Sequence, residues 1–208
     1  MNVKQAYNSW AAQYDTNDNK TRDLEARALQ TTLAGTSFNS CLEIGCGTGK
    51  NTAWLATKAT RLLCVDLTEA MLEKAKEKIK APHVHFVQAD IIEEWHFTHE
   101  QFDLATFSLV LEHIENLDDI FRKLSTKISN GGYVYIGELH PFKQYAGSKA
   151  RFETTAGTQV VTCFNHHLSD FIQPALQYGF SITAINEYFD ADDRNALPRI
   201  LTILLQKK

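Results

Sequence analysis

The stretch CLEIGCGTGK, residues 41–50, sets the fold. Apolar residues run into Glu43 and Ile44, glycine then alternates at Gly45, Gly47 and Gly49, and a helical pattern begins at Thr52. The order is strand, tight turn, helix start. Glycines at alternate positions allow positive φ and leave no Cβ between a ligand and the peptide planes. The amides that open the following helix favour a carboxylate or phosphate. Two phosphate-binding patterns fail on spacing. A dinucleotide fingerprint, G-x-G-x-x-G, needs glycine where Lys50 stands, and a P-loop needs glycine at Ile44 and Ser or Thr at Asn51.

Downstream, apolar runs at 61–66, 84–88, 102–107 and 133–138 alternate with helical patterns over 52–59, 69–80 and 117–128. That alternation predicts crossover units on a parallel sheet. The run LLCV, 62–65, shows no polar alternation and suits a strand buried on both faces. Asp66 ends this run and Asp90 follows the next, at the carboxyl ends of strands where open α/β sheets bind ligands. Capping the helix after Asp66 falls more naturally to Thr68, which leaves the Asp66 carboxylate for a ligand such as a ribose diol.

Glu43 two residues before G-x-G-x-G, then Asp66, then Asp90, then FSLVLEHI at 107–114 resemble, in order, the motifs of class I S-adenosylmethionine-dependent methyltransferases. The resemblance implies an α/β, Rossmann-like, seven-stranded, mostly parallel sheet with helices on both faces, an antiparallel C-terminal strand hairpin and an N-terminal helical cap. It also implies a cofactor, S-adenosylmethionine, leaving as S-adenosylhomocysteine. Glu43, Gly45, Cys46 and Gly47 would cradle it, Asp66 would bind its ribose, and Leu67 and Met71 would pack on the adenosine. Ala89, Asp90 and Ile91 would meet the adenine, and Ser108 and Leu109 would present backbone beside the methyl group. Trp10 to Asp15 match a W-x-x-x-Y-D leader, which would lay Tyr14 near the methionine moiety. Met71 and Tyr14 read equally well as core residues of their helices.

The expected organisation is one domain over 1–208: a helical cap at 1–35, the cofactor-binding core at 39–138, a lid at 139–165, and a last helix with closing strands at 166–208. Within the lid, two β-prone segments flank Ala156 and Gly157, as in a hairpin. The closing strands are expected at 180–188 and 200–206.

Methyl transfer asks a protein to orient donor and acceptor and exclude water. A base is needed where the acceptor must lose a proton, and histidine has the suitable pKa range. His140, just after the fifth strand, is the first candidate, followed by His113 and His166. The Pro-Pro-Tyr type of signature after the fourth strand is replaced by Ser108-Leu109-Val110-Leu111, so a small-molecule acceptor is expected. Net charge is -4 with scattered lysines, which argues against nucleic acid. No run approaches a membrane span or a signal peptide, so no membrane partner and a cytoplasmic location are expected. Cys41, Cys46, Cys64 and Cys163 form no C-x-x-C pair and read as free thiols, and no metal set is completed around His96 and His99. Monomer and homodimer stay open. So do two other readings: a non-catalytic binder of the same cofactor, and a nucleotide-dependent oxidoreductase.

Overall fold

The computed structural model describes residues 2–11, 13–16, 18–154 and 157–208, the side chains of 152–154 excepted. Helix α1 (Val3–Trp10) and helix α2 (Lys20–Thr32) lead to strand β1 (Ser40–Ile44). Three crossover units follow: α3 (Lys50–Leu55), β2 (Arg61–Asp66), α4 (Glu69–Lys78), β3 (Val84–Gln88) and, after a helix-free connection, β4 (Phe102–Ser108). Then come α5 (Leu117–Ser125), β5 (Ile128–Leu139), α6 (Pro141–Tyr145) and the hairpin strands β6 (Arg151–Thr154) and β7 (Gly157–Val160). Helix α7 (Leu168–Gln177) and strands β8 (Phe180–Tyr188) and β9 (Ile200–Lys207) close the chain.

The large sheet has the order β3-β2-β1-β4-β5-β9-β8. All neighbours from β3 to β5 pair in parallel, and β9 inserts antiparallel to both β5 and β8. This is the seven-stranded, mostly parallel sheet that the sequence implies, with its antiparallel closing pair. The order reverses between β1 and β4, so the carboxyl ends of β1, β2 and β4 frame a crevice.

Strand parity distributes the side chains. Leu42, Ile44, Val65, Phe107 and Ile136 enter a core covered by α5 and α7. Cys41, Leu62, Cys64 and Tyr135 enter the opposite core, under α2, α3 and α4. No helix among the described residues is long and apolar enough to cross a membrane.

Several boundaries differ from the sequence reading. The first helix stops at Trp10, and the chain to Tyr14 continues in turns, with Ala12 outside the described residues. Helix α3 starts two residues early because Gly49, at φ 84°, caps it in the left-handed region. The loop expected at 139–150 contains α6, five residues with Pro141 at its start, too short to show a helical period. The lid hairpin pairs Thr154 with Gly157; its expected turn includes Ala156, which lies outside the described residues.

Gly45 has φ 71°, and a Cβ there would stand 2.2 Å from Val110 Cγ2. Left-handed backbone and overpacking each cost a side chain about 1–3 kcal/mol. Gly45→Ala is therefore expected to lower unfolding free energy by about 2–4 kcal/mol in urea titration, and a loss under 0.5 kcal/mol, about the scale of a surface change, would contradict the contact.

Candidate active site

The crevice is built from strand ends. Gly47 and Asp66 tie two of them: the Gly47 amide donates to Asp66 Oδ2 at 2.9 Å. Asp66 Oδ1 accepts from the Thr68 amide at 2.9 Å and the Thr68 hydroxyl at 3.0 Å. Thr68 therefore does not cap α4 with its own side chain, contrary to the sequence reading; Asp66 turns the chain into that helix. Burial raises the Asp66 carboxyl above its usual range, against the pull of these donors. Oδ2 keeps a lone pair for a ligand hydroxyl, and the short Thr68 hydroxyl can yield its place. A Cβ at Gly47, whose φ is 53°, would meet nothing within 4 Å. The backbone here faces open space.

Asp90 follows β3 and spends Oδ1 on the Ile92 amide at 3.0 Å. The loop after it is fixed from below by Lys123, a residue that the sequence analysis does not single out. Its buried ammonium donates to the carbonyls of Ile91, Ile92 and Glu93 at 2.8, 2.8 and 3.1 Å and pairs with Asp119 at 2.7 Å. No sequence signal separates this lysine from a solvated one.

At the end of β4 the chain turns through Leu109, at φ 57°. A non-glycine residue in that region costs about 1–2 kcal/mol. Three backbone donors offset it: Leu109 to the Gly137 carbonyl at 2.8 Å, and Val110 and Leu111 to Glu138 Oε1 at 2.9 and 2.8 Å. Burial, then the neighbouring Glu112, pushes Glu138 up to about 8.

The cap closes the crevice from above. Tyr7, Trp10 and Tyr14 pack ring on ring, with centroids 5.7 Å apart for Tyr7–Trp10 and 4.9 Å for Trp10–Tyr14. Asp15 anchors this segment: Oδ1 accepts from the Thr48 hydroxyl at 2.6 Å and Oδ2 pairs with Lys78 at 2.7 Å. The Tyr7 hydroxyl lies 2.8 Å from His113 Nε2, and His113 Nδ1 lies 2.8 Å from the Thr162 carbonyl. A carbonyl only accepts, so Nδ1 carries the proton and neutral Nε2 accepts from Tyr7.

One cleft results. Gly45, Gly47, Asp66, Leu67 and Met71 line one part of it, and Ala89, Asp90 and Ile91 another. Ser108, Leu109, Tyr14 and His113 complete the wall, together with Tyr7 and Val3.

Four expected residues lie elsewhere. Glu43 points into the core under α3, where it accepts from the Thr52 hydroxyl at 2.6 Å and the Cys64 thiol at 3.4 Å. Parity is the reason, since Ile44 takes the other face. Cys46 commits its amide to the Val65 carbonyl at 3.1 Å and buries its thiol. His140 caps α6: Nδ1 accepts from the Phe142 amide at 3.1 Å, which leaves Nε2 as the donor to Glu187 at 3.0 Å. Burial lowers its pKa, against the pull of Glu187. His166 directs Nε2 at the carbonyls of Leu111 and Ile114, 3.1 and 2.8 Å away, so that nitrogen is a committed donor holding the loop after β4. Neither His140 nor His166 lines the cleft.

Glu112, His113 and Cys163 offer ligand atoms within 4.8 Å of one another. Both His113 nitrogens are already hydrogen-bonded, which makes the cluster a poor metal centre.

Residues 42–136 match a family model described as a methyltransferase domain. The chain is 28% identical over 243 residues to the uncharacterized methyltransferase AN0656 of Emericella nidulans, covering 96% of this chain and 83% of that one. It is 31% identical over 132 residues to the malonyl-[acyl-carrier protein] O-methyltransferase of Salmonella typhimurium, spanning 64% of this chain and 51% of that one. The structure of the DhpI–SAH complex shares the fold, with a TM-score of 0.77, 20% identity, and coverage of 98% and 94%. Residues 42–136 thus resemble a methyltransferase domain, and the sheet has the fold of the solved methyltransferases. The cofactor that the sequence resemblance implies, S-adenosylmethionine, suits the residues of the cleft: open backbone at Gly47, acids with spare lone pairs after β2 and β3, and an apolar wall at Leu67, Met71 and Ile91.

Beneath the glycine turn, burial raises Glu25 and Glu43 to about 7 each. Glu25 accepts from Tyr135 at 3.0 Å and Asn51 at 2.9 Å. Folded-state values above the unfolded ones mean that the stability these protonated acids contribute is fully present below about pH 4.5 and is lost as pH rises through 7; each acid forfeits about 1.4 kcal/mol per pH unit across that window. Urea midpoints should fall from pH 5 to pH 8, and Glu43→Gln, which still accepts from Thr52, should flatten that slope. An unchanged slope in the variant would mean that Glu43 ionises freely.

Proposed function

We propose that this protein transfers a methyl group from S-adenosylmethionine to a small-molecule acceptor held in a second cavity beside the cofactor cleft. The observation that carries this reading is the shared wall: Tyr7, Tyr14 and Leu109 line both spaces. An acceptor there lies one side chain away from the cleft. Trp10 of α1, which packs with Ala6 and Val161, lines this cavity and narrows it.

Bound in the cleft, the cofactor supplies a methyl group on a sulfonium, and in-line attack breaks the carbon–sulfur bond and leaves a neutral thioether. Asp66 and Asp90 fix the two ends of the nucleoside by accepting its hydroxyl and amino hydrogens. The Leu109 turn, held by Glu138, sets the floor beside the methyl. Orientation of this kind is worth about 7–11 kcal/mol where the geometry is close to that of attack.

Where the acceptor atom carries a proton, Tyr7 and His113 take it. The acceptor donates to the Tyr7 oxygen as the Tyr7 proton passes to His113 Nε2, and the Thr162 carbonyl stabilises the imidazolium through Nδ1. His113, the second of the three histidine candidates, is the one within reach.

Calorimetric titration with S-adenosylmethionine and S-adenosylhomocysteine, with NAD as a control, tests the cofactor. Micromolar binding is expected for the wild type, with a loss of at least 100-fold in folded Asp66→Ala; no binding to the folded wild type would overturn the reading. Once an acceptor is in hand, His113→Gln should lower kcat by about 10²–10⁴ with cofactor affinity unchanged. A kcat within threefold of wild type would remove His113 from proton transfer.

A further inference from the structure

The second cavity is polarised, and its two ends differ in sign. Its inner wall carries Glu112, a buried carboxyl whose Oε2 has no hydrogen-bond partner among the described residues. Its rim carries Lys20, Lys149 and Arg151, all exposed and none in an ion pair among the described residues. Two further cations line it but are engaged. Arg199 is gripped by Asp190 through two contacts of 2.6 and 2.5 Å, and the Arg22 guanidinium lies 4.6 Å from the Tyr14 ring centroid. Asp18 is the acid that shares the rim. In a chain of net charge -4, three open cations at the mouth of one cavity are a local reversal of sign.

Unpaired cations around a partly desolvated cavity favour an anion, because each charge-assisted hydrogen bond there is stronger than a neutral one. The inner end, lined by Glu112, offers an anion no cation among the described residues to hold it. That end, beside Tyr7 and Leu109, instead suits a hydrogen-bond donor, which can satisfy Oε2.

We propose that the methyl acceptor is a small bifunctional molecule: an anionic group, carboxylate, phosphate or phosphonate, sits at Lys149, Arg151 and Lys20, and a hydroxyl or amino group sits inward at Glu112. This rests on the assignment of the second cavity to the acceptor. The rim selects and orients, and the inner end presents the nucleophile to the methyl group.

The test uses full-length protein saturated with S-adenosylhomocysteine, which calorimetry establishes first. Methylphosphonate is then titrated and followed by phosphorus NMR line width, with its uncharged diester, dimethyl methylphosphonate, as control. The proposal expects saturable binding of the anion, none of the diester, and affinity that falls as sodium chloride is raised. Lys149→Ala with Arg151→Ala should weaken the anion at least tenfold while S-adenosylhomocysteine binds within twofold of wild type, which also reports that the variant is folded. Lys149→Glu with Arg151→Glu should abolish anion binding. Anion affinity unchanged in both variants, equal binding of the diester, or binding of an acidic carrier protein with none of the small anion would overturn the proposal and leave the cofactor reading intact. Failure of S-adenosylhomocysteine to bind the wild type would instead sink the cofactor reading, and the anion arm is then run on the cofactor-free protein.

Discussion

The hydrogen bond from the Gly47 amide to Asp66 joins the turn after β1 to the end of β2, and the cleft depends on it. A parallel sheet places strand ends side by side but leaves the turns above them unconnected. One carboxylate supplies the connection and also the entry to α4, because its other oxygen receives Thr68. The same group can then serve a ligand only through what remains of its acceptor capacity. Rigidity and binding draw on one pair of oxygens. This explains why the glycine at 47 needs a left-handed φ: with the amide turned to Asp66, the open side of the peptide is left for the ligand.

A second layer of buried acids holds this arrangement from beneath. Glu138 fixes the Leu109 turn, Glu43 holds Thr52 at the start of α3, and Glu25 links α2 to Tyr135 and Asn51. Each is buried with hydrogen bonds, the condition under which a carboxyl is tolerated in a core. Their cost rises with ionisation, so the scaffold is least strained when they hold protons. Gly137 leaves the room for one of these links, since a Cβ there would stand 2.5 Å from Glu25 Oε1.

The sequence made the sheet legible because its cues are local: glycine spacing, apolar runs, and an acid at the end of a run. Asp66, Asp90 and the glycines reach the cleft because strand ends can point only there. Glu43 lay two residues earlier, where parity decides the outcome, and the family pattern gave the acid without the face it would take. The histidines show the limit more clearly. His140 follows a strand end as a base would, yet a helix of five residues, invisible to periodicity, needed a cap. His113 sat in the quoted motif, but its partners Tyr7 and Thr162 are separated from it by 106 residues on one side and 49 on the other. Lys123 gave no sign at all, since the carbonyls it gathers become neighbours only on folding.

The wall formed by Tyr7, Tyr14 and Leu109 is common to two cavities. Whatever the occupant of one side does to those rings is felt on the other, and thermodynamic linkage makes the effect equal in both directions. If the cofactor orders the tyrosines, it strengthens the acceptor's hold, and the acceptor strengthens the cofactor's by the same factor. A partition only one side chain thick is thus also a means by which each compartment reports its contents to the other.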